Sequence, residues 1–373
     1  MKIGQKHKAR TWVVNTSTMR LIGWFLLLAA PATVSAQDSE PTTSSPACIA
    51  SDSIHDGLAR IARRVGGEVG FSALHYESGL QISFNGDRRF PMASVSKVPM
   101  ALEFLRRVDA GEIDLTETIV VTPQDFRPGH SPLAGWRTRS VRRTVDSLFS
   151  LMLRSSDNTA TDVILNMSGG PKAATRRVHE LGVSGVEVDR SEARTFADLV
   201  GLSDTIPESK LSRYQYFRMR DALPQAYRDA ARERYGMDPK DTATPDGMTD
   251  LLAKIHEGKG LSRDSRARIL EVMRLTKSGR ARLRGLLPSS IEVAHKTGTM
   301  AGAINDVGII SLPNGGGHLI VSAFVNTLRR TTWRRERTIA EMTRFVFDIF
   351  TESFVSREGA ITDSHISSCM DDR

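Results

Sequence analysis

Ser94 and Lys97 stand three residues apart in the stretch Pro91-Met92-Ala93-Ser94-Val95-Ser96-Lys97-Val98-Pro99-Met100. A serine hydroxyl alone is a weak nucleophile at neutral pH and becomes a useful one when a neighbouring base can take its proton. A lysine one helical turn further on lies on the same face and within reach. To serve as that base its amine must be neutral, which requires burial or cationic neighbours to lower its pKa. Two further signals follow in order, Ser156-Asp157-Asn158 and Lys296-Thr297-Gly298-Thr299. They add a second hydroxyl, an amide that both donates and accepts, and a second amine. Each short motif is weak alone; three in this order with long gaps are a strong signal.

The surrounding chain holds the elements that would position these groups. An apolar period near 3.6 predicts a helix over 54–65, and alternation over 68–76 and 80–85 around Glu77-Ser78-Gly79 predicts a hairpin that leads to Ser94. The helix after Ser94 buries Val98, Ala101, Leu102, Leu105 and Val108, with Ser94 as its expected N-cap. That position would aim free backbone N–H groups and the positive end of the helix dipole at the nucleophile. Residues 127–136 form a loop, and helices are expected over 145–153, from Asn158 and over 172–181, before a polar loop at 188–192.

Residues 197–240 carry four of the five tyrosines (Tyr214, Tyr216, Tyr227 and Tyr235) among many arginines, and 212–235 reads as largely helical. Helices resume at Thr244-Pro245 and Ser262-Arg263-Asp264. Strands over 291–299, 306–312 and 318–327 form a meander with a turn at 313–316, and an amphipathic helix over 332–354 closes the chain. Strands at both ends with helices between them imply an α+β fold: one antiparallel sheet built from N- and C-terminal segments, flanked by helices, with an inserted all-α lobe.

The 373 residues are 40% hydrophobic, ample for a large core. Lys2, Lys6, Lys8, Arg10 and Arg20 precede a short apolar run at 21–30 and the small residues Val34-Ser35-Ala36, so residues 1–36 read as an export signal, with Met19 as an alternative start. The run is too short to span a bilayer, so no stable membrane anchor is expected. Residues 37–51 read as a Ser/Thr/Pro-rich linker, 52–355 as the catalytic domain and 356–373 as a tail. Without the signal 46 basic and 43 acidic residues remain, which argues against a nucleic-acid partner. The nine histidines lack paired ligand spacing, no Cys-x-x-Cys occurs and no glycine-rich phosphate loop is present, so neither a metal site nor a cofactor is expected.

The three motifs and the order of elements together resemble class A β-lactamases over roughly residues 52–355. The resemblance implies that Ser94 is acylated, Lys97 accepts or relays its proton, Ser156 passes a proton to the leaving nitrogen, and Asn158 holds a substrate carbonyl. It makes Lys296 a source of positive potential and lines the substrate with the edge strand at Thr297, Gly298 and Thr299, with an oxyanion hole at the N–H groups of Ser94 and Thr299. Asp189-Arg190-Ser191-Glu192 resembles the start of the family's Ω loop, which makes Glu192, 36 residues after Ser156, the base that activates the deacylating water. Arg282 matches an arginine that reaches a substrate carboxylate, or forms a surface salt bridge. His130 falls where a gating aromatic stands, or is simply an exposed loop residue. In the family the terminal segments lie side by side, so Cys48 and Cys369 could pair.

Two departures stand out. Phe196 replaces an asparagine that helps hold the water and can itself make no hydrogen bond. Residues 197–240 enlarge the Ω loop, with Arg190 and Asp241 as the expected ion pair at its neck. The implied protein is an exported, periplasmic or secreted, monomeric serine β-lactamase acting on a small-molecule β-lactam. Phe196 and the enlarged loop leave open a D-Ala-D-Ala carboxypeptidase, another serine hydrolase, or a β-lactam sensor or trap that acylates and stops.

Overall fold

The structure, a computed structural model, describes residues 46–135 and 139–355. The export signal, the tail and a Cys48–Cys369 pairing lie outside the described residues. Helix α1 (Pro46–Arg63) begins well before the apolar period at 54, since proline at a first helical position loses no hydrogen bond. The hairpin follows as β1 (Glu68–His75) and β2 (Gln81–Phe84), then the short strand β3 (Phe90–Pro91).

The nucleophile stretch corrects one expectation. Ala93–Ser96 form a 3-10 turn, and helix α2 (Lys97–Asp109) starts after it with Ser96 at the cap position, so Ser94 is not the N-cap. Tighter winding at the entry moves the cap position by two residues, from Ser94 to Ser96, and the Ser94 hydroxyl is not used for capping.

Strands β4 (Thr118–Val121) and β5 (Val141–Thr144) pair in a small ribbon that the sequence reading missed, because Val141-Arg142-Arg143-Thr144 carries little apolar alternation. Helices α3 (Val145–Arg154), α4 (Asn158–Met167) and α5 (Pro171–Glu180) complete the helical lobe around α2. Thr144 and Asp157 cap α3 and α4 by accepting from Ser147 N and Ala160 N.

The polar loop ends in α6 (Glu192–Leu199), and the insertion holds α7 (Arg213–Asp221) and α8 (Gln225–Tyr235). Pro224 separates the last two by removing an N–H and restricting the residue before it. The insertion has a small core of its own, in which Leu211 and Tyr216 pack with Ala193, Ala197 and Val200.

Strand β6 (Thr242–Ala243) pairs with β3, which fastens the end of the insertion beside the nucleophile turn. Thr244 and Ser262 cap α9 (Pro245–Glu257) and α10 (Arg263–Arg274). The meander is β7 (Val293–Met300), β8 (Ala303–Ser311) and β9 (His318–Asn326), followed by α11 (Thr332–Val355). The main sheet has the order β2-β1-β9-β8-β7 and is antiparallel throughout.

Because α1 and α11 cover one face and the helical lobe the other, β8 and β9 are buried almost end to end instead of alternating. Among the described residues no helix is long and apolar enough to cross a membrane.

The neck of the insertion is a buried ion network. Arg190 Nε bonds Asp241 Oδ2, and Arg190 Nη1 reaches Asp198 and Asp238 at 2.9 Å each. Asp241 also accepts from the backbone N–H groups of Asp189 and Arg190, and the guanidinium lies 5.0 Å from the Tyr235 ring centre. Arg190→Met would strand Asp241 without its charge partner, with an expected loss of about 3–5 kcal/mol in urea unfolding. A loss under about 1 kcal/mol, the worth of an exposed pair, would show that this neck is not held electrostatically.

Candidate active site

The turn that carries Ser94 is held by the sheet. Asn305 on β8 donates through Nδ2 to the carbonyls of Pro91 (2.8 Å) and Met92 (2.9 Å), which fixes the backbone just ahead of Ser94. Ala93 takes a left-handed φ of 48°, a conformation that costs a non-glycine residue energy and is kept by such clamps. Gly298 makes the close approach possible: a Cβ there would lie 2.5 Å from the Met92 carbonyl oxygen and 3.1 Å from Val95 Cγ2.

Lys97, fully buried, is the hub. Its Nζ lies 2.8 Å from Ser94 Oγ, 3.0 Å from Asn158 Oδ1, 3.3 Å from Ser156 Oγ and 2.8 Å from Glu192 Oε1. An ammonium has three hydrogens, and it faces four acceptors. A charged Lys97 can therefore bond only three of these acceptors at once, and a hydroxyl can donate to its nitrogen only when the amine is neutral.

Ser156, also left-handed at φ 55°, stands between two amines, since Lys296 Nζ reaches its Oγ at 3.0 Å and the Thr297 carbonyl at 2.7 Å. Burial, and next the charge of Lys97, hold the pKa of Lys296 well below the usual lysine range.

Asn158 gives one amide hydrogen to the Pro128 carbonyl (2.9 Å), which leaves the other for a ligand. Its backbone N–H donates to the carbonyl of His130, whose side chain is exposed beside the site. Thr297 shares a hydrogen bond with Ser278 (2.7 Å), and Thr299 is exposed on the edge strand. Arg282 is buried, with its fork committed to the carbonyls of Gly298 and Asn305, to Thr299 Oγ1 and to Glu336. It braces β7 from behind, and a bond to a substrate carboxylate would require one of these partners to be exchanged.

Glu192 is the first residue of α6. Asp162 on α4 accepts from the backbone N–H groups of Glu192 (2.7 Å) and Ala193 (3.1 Å), and Arg127 Nε bonds the same carboxylate at 2.6 Å. Burial raises the pKa of Asp162 against the pull of Arg127. The pair fixes the start of α6 and so the Glu192 carboxylate.

Beside it lies a cavity of about 10 Å³, lined by Ala93, Ser96, Glu192, Thr195, Tyr235 and Met300, about the size of one water probe. Phe196 is not in that lining; its ring packs against Gly129 and edge-on to Tyr216, with centroids 6.1 Å apart.

Sequence reading missed Asp162, Arg127 and Asn305. The only trace of Asp162 was an acid four residues after Asn158, the one acidic residue of that helix.

The sheet, the inserted helical lobe and the gathering of Ser94, Lys97, Ser156 and Lys296 in one cleft define a fold of the serine β-lactamase and transpeptidase type. The chain belongs to the Beta-lactamase enzyme family, whose sequence model matches residues 53–350, and within it to class A. Beta-lactamase VEB-1 of Pseudomonas aeruginosa is 26% identical over 302 residues, covering 79% of this chain and 89% of that protein. A solved β-lactamase from Chitinophaga pinensis is 30% identical with a TM-score of 0.65, over 80% of this chain and 99% of the other. A reconstructed ancestral class A β-lactamase is 29% identical with a TM-score of 0.64, over 79% and 99%.

Gly298→Ala tests the packing of turn on strand. Its methyl would force the Met92 carbonyl and Val95 away, with an expected loss of about 1–3 kcal/mol in denaturant unfolding. An unchanged midpoint would mean that β7 and the turn are free to part.

Proposed function

We propose that the protein is an exported serine β-lactamase that opens the lactam amide by acylation of Ser94 and then hydrolyses the ester with water activated by Glu192. The observation that carries this reading is the position of Lys97 Nζ, 2.8 Å from the Ser94 hydroxyl and 2.8 Å from the Glu192 carboxylate. When Lys97 passes a proton to Glu192, its free amine can take the proton of Ser94 as Oγ attacks the lactam carbonyl. The oxyanion would face the backbone N–H groups of Ser94 and Thr299, with the Ser94 turn fixed to the neighbouring strand β8 by Asn305.

The lactam nitrogen leaves with a proton delivered through Ser156, which bridges Lys97 and Lys296. Glu192 first hands the proton it received back to Lys97; it then takes a proton from water as the water oxygen attacks the ester carbonyl, and Ser94 leaves with a proton returned through Lys97. Splitting one hard step into two easier ones is what the serine contributes. Asn158 and the β7 edge at Thr297, Gly298 and Thr299 would hold the substrate amide. The position of Thr195, and not Phe196, in the wall of the small cavity supports turnover over a trap that stops at the acyl-enzyme. Export is supported by the basic and apolar pattern of residues 1–36.

The experiment pairs turnover of a chromogenic cephalosporin with intact mass after penicillin treatment. The wild type is expected to turn over many times without a lasting adduct. Glu192→Gln is expected to lower kcat by roughly 10²–10⁴-fold and to accumulate a Ser94 adduct. Unchanged turnover in that variant removes Glu192 from the role of base, and a lasting adduct on the wild type converts the reading to a trap.

A further inference from the structure

The histidines show no ligand spacing along the chain, yet folding collects two of them at the end of the sheet away from the catalytic cleft. His256, in the last turn of α9, and His318, at the start of β9, have ring centres 4.4 Å apart. Glu77, in the β1–β2 turn, lies against the second: His318 Nδ1 is 2.7 Å from Glu77 Oε1, and the His318 backbone N–H donates to Oε2 at 2.7 Å. One ring nitrogen of each histidine and one carboxylate oxygen all lie within 4.8 Å of one another.

His256 is 8% exposed, with the Tyr76 ring edge-on at 4.7 Å, and its Nδ1 has no hydrogen-bond partner. A buried polar atom without a partner is uncommon enough to need a reason. We propose that Glu77, His256 and His318 form a binding site for one divalent transition-metal ion, of which Zn²⁺ is the best chemical fit.

Two imidazoles and a carboxylate are a donor set that borderline metals favour, with a fourth position left for water. Bonds of about 2.0–2.2 Å place tetrahedral ligand atoms roughly 3.4 Å apart, so the three groups must draw together from their present span. Glu77 and His318 can do this, with side chains 41% and 37% exposed, while His256 is fixed by its helix. The two histidines also border a cleft of about 320 Å³ that gives an ion and its water a way in.

The cations on that cleft are already engaged, Arg266 with the His256 carbonyl and Arg274 with Glu292 at 2.7 Å. The strand register separates this site from the catalysis. His318 pairs with Ser311 and Val293 with Ile310, whereas Lys296 pairs with Val307 three residues further along β7. The ion would tie the β1–β2 turn to α9 and β9 without touching the acyl chemistry, and it would stabilise the fold by mass action.

The test is calorimetric titration of chelator-treated protein with ZnCl₂, together with melting curves and cephalosporin turnover. The expected result is one saturable site per chain and a melting temperature that rises with Zn²⁺. Glu77→Gln and His318→Gln should each weaken binding by about 10–100-fold and shrink the Zn²⁺-dependent rise in melting temperature, while leaving turnover unchanged. His256→Gln should abolish the site. Absence of saturable binding to the wild type, or binding undiminished by Glu77→Gln and His318→Gln, overturns the proposal.

Discussion

Two lysines and a glutamate are held out of water around one pair of hydroxyls, and the rest of the structure answers to that arrangement. Lys97 and Lys296 are fully buried and Glu192 is 5% exposed. Removing such charges from water costs several kcal/mol per ion unless partners replace the lost hydration. Lys97 is surrounded by two hydroxyls, an amide oxygen and a carboxylate, and Lys296 by a hydroxyl and a carbonyl. Burial, and next the charge of Lys97, disfavour the charged form of Lys296. No single arrangement of hydrogens satisfies every group of this cluster at once.

Holding the cluster together falls to buried residues around it. Asn305 ties the nucleophile turn to β8, Arg282 binds the ends of β7 and β8 from behind, and Asp162 with Arg127 fixes the start of α6. Each is buried and bonded through charge or amide groups, so each is both a support and a stability risk. The insertion joins this scheme through Arg190 and Asp241 and through Tyr235, which reaches the wall of the small cavity beside Glu192. Burial pushes the Tyr235 phenol well above its usual range, so it stays neutral there.

Much of this was legible in the sequence because it is local. Thr244 and Ser262 announced helix starts, alternation announced the hairpin and the meander, and three short motifs announced which helix, loop and strand would meet. What could not be read was local geometry or long-range pairing. The 3-10 turn at Ala93–Ser96 displaced the expected cap, and the two-residue β3–β6 pair is too short for any period. The partnership of Asp162 with Glu192 depends on α4 passing α6, a packing fact with no imprint on spacing. Phe196 was legible as a chemical departure, but its packing on Gly129 and Tyr216, off the cavity wall, was not. The gathering of Glu77, His256 and His318 is of the same kind, since three segments far apart in the chain meet only when the sheet closes.

The place of β7 on the margin of the sheet carries one more consequence. A marginal strand leaves a row of unshared amides and carbonyls, which in most proteins invites another polypeptide to join and so risks self-association. Here the turn carrying Ser94 is packed against that margin at Gly298, and only the end near Thr299 stands open. An opening that short has room for an extended group of a few atoms rather than for a whole strand. A full-length neighbouring chain is shut out by the same contact.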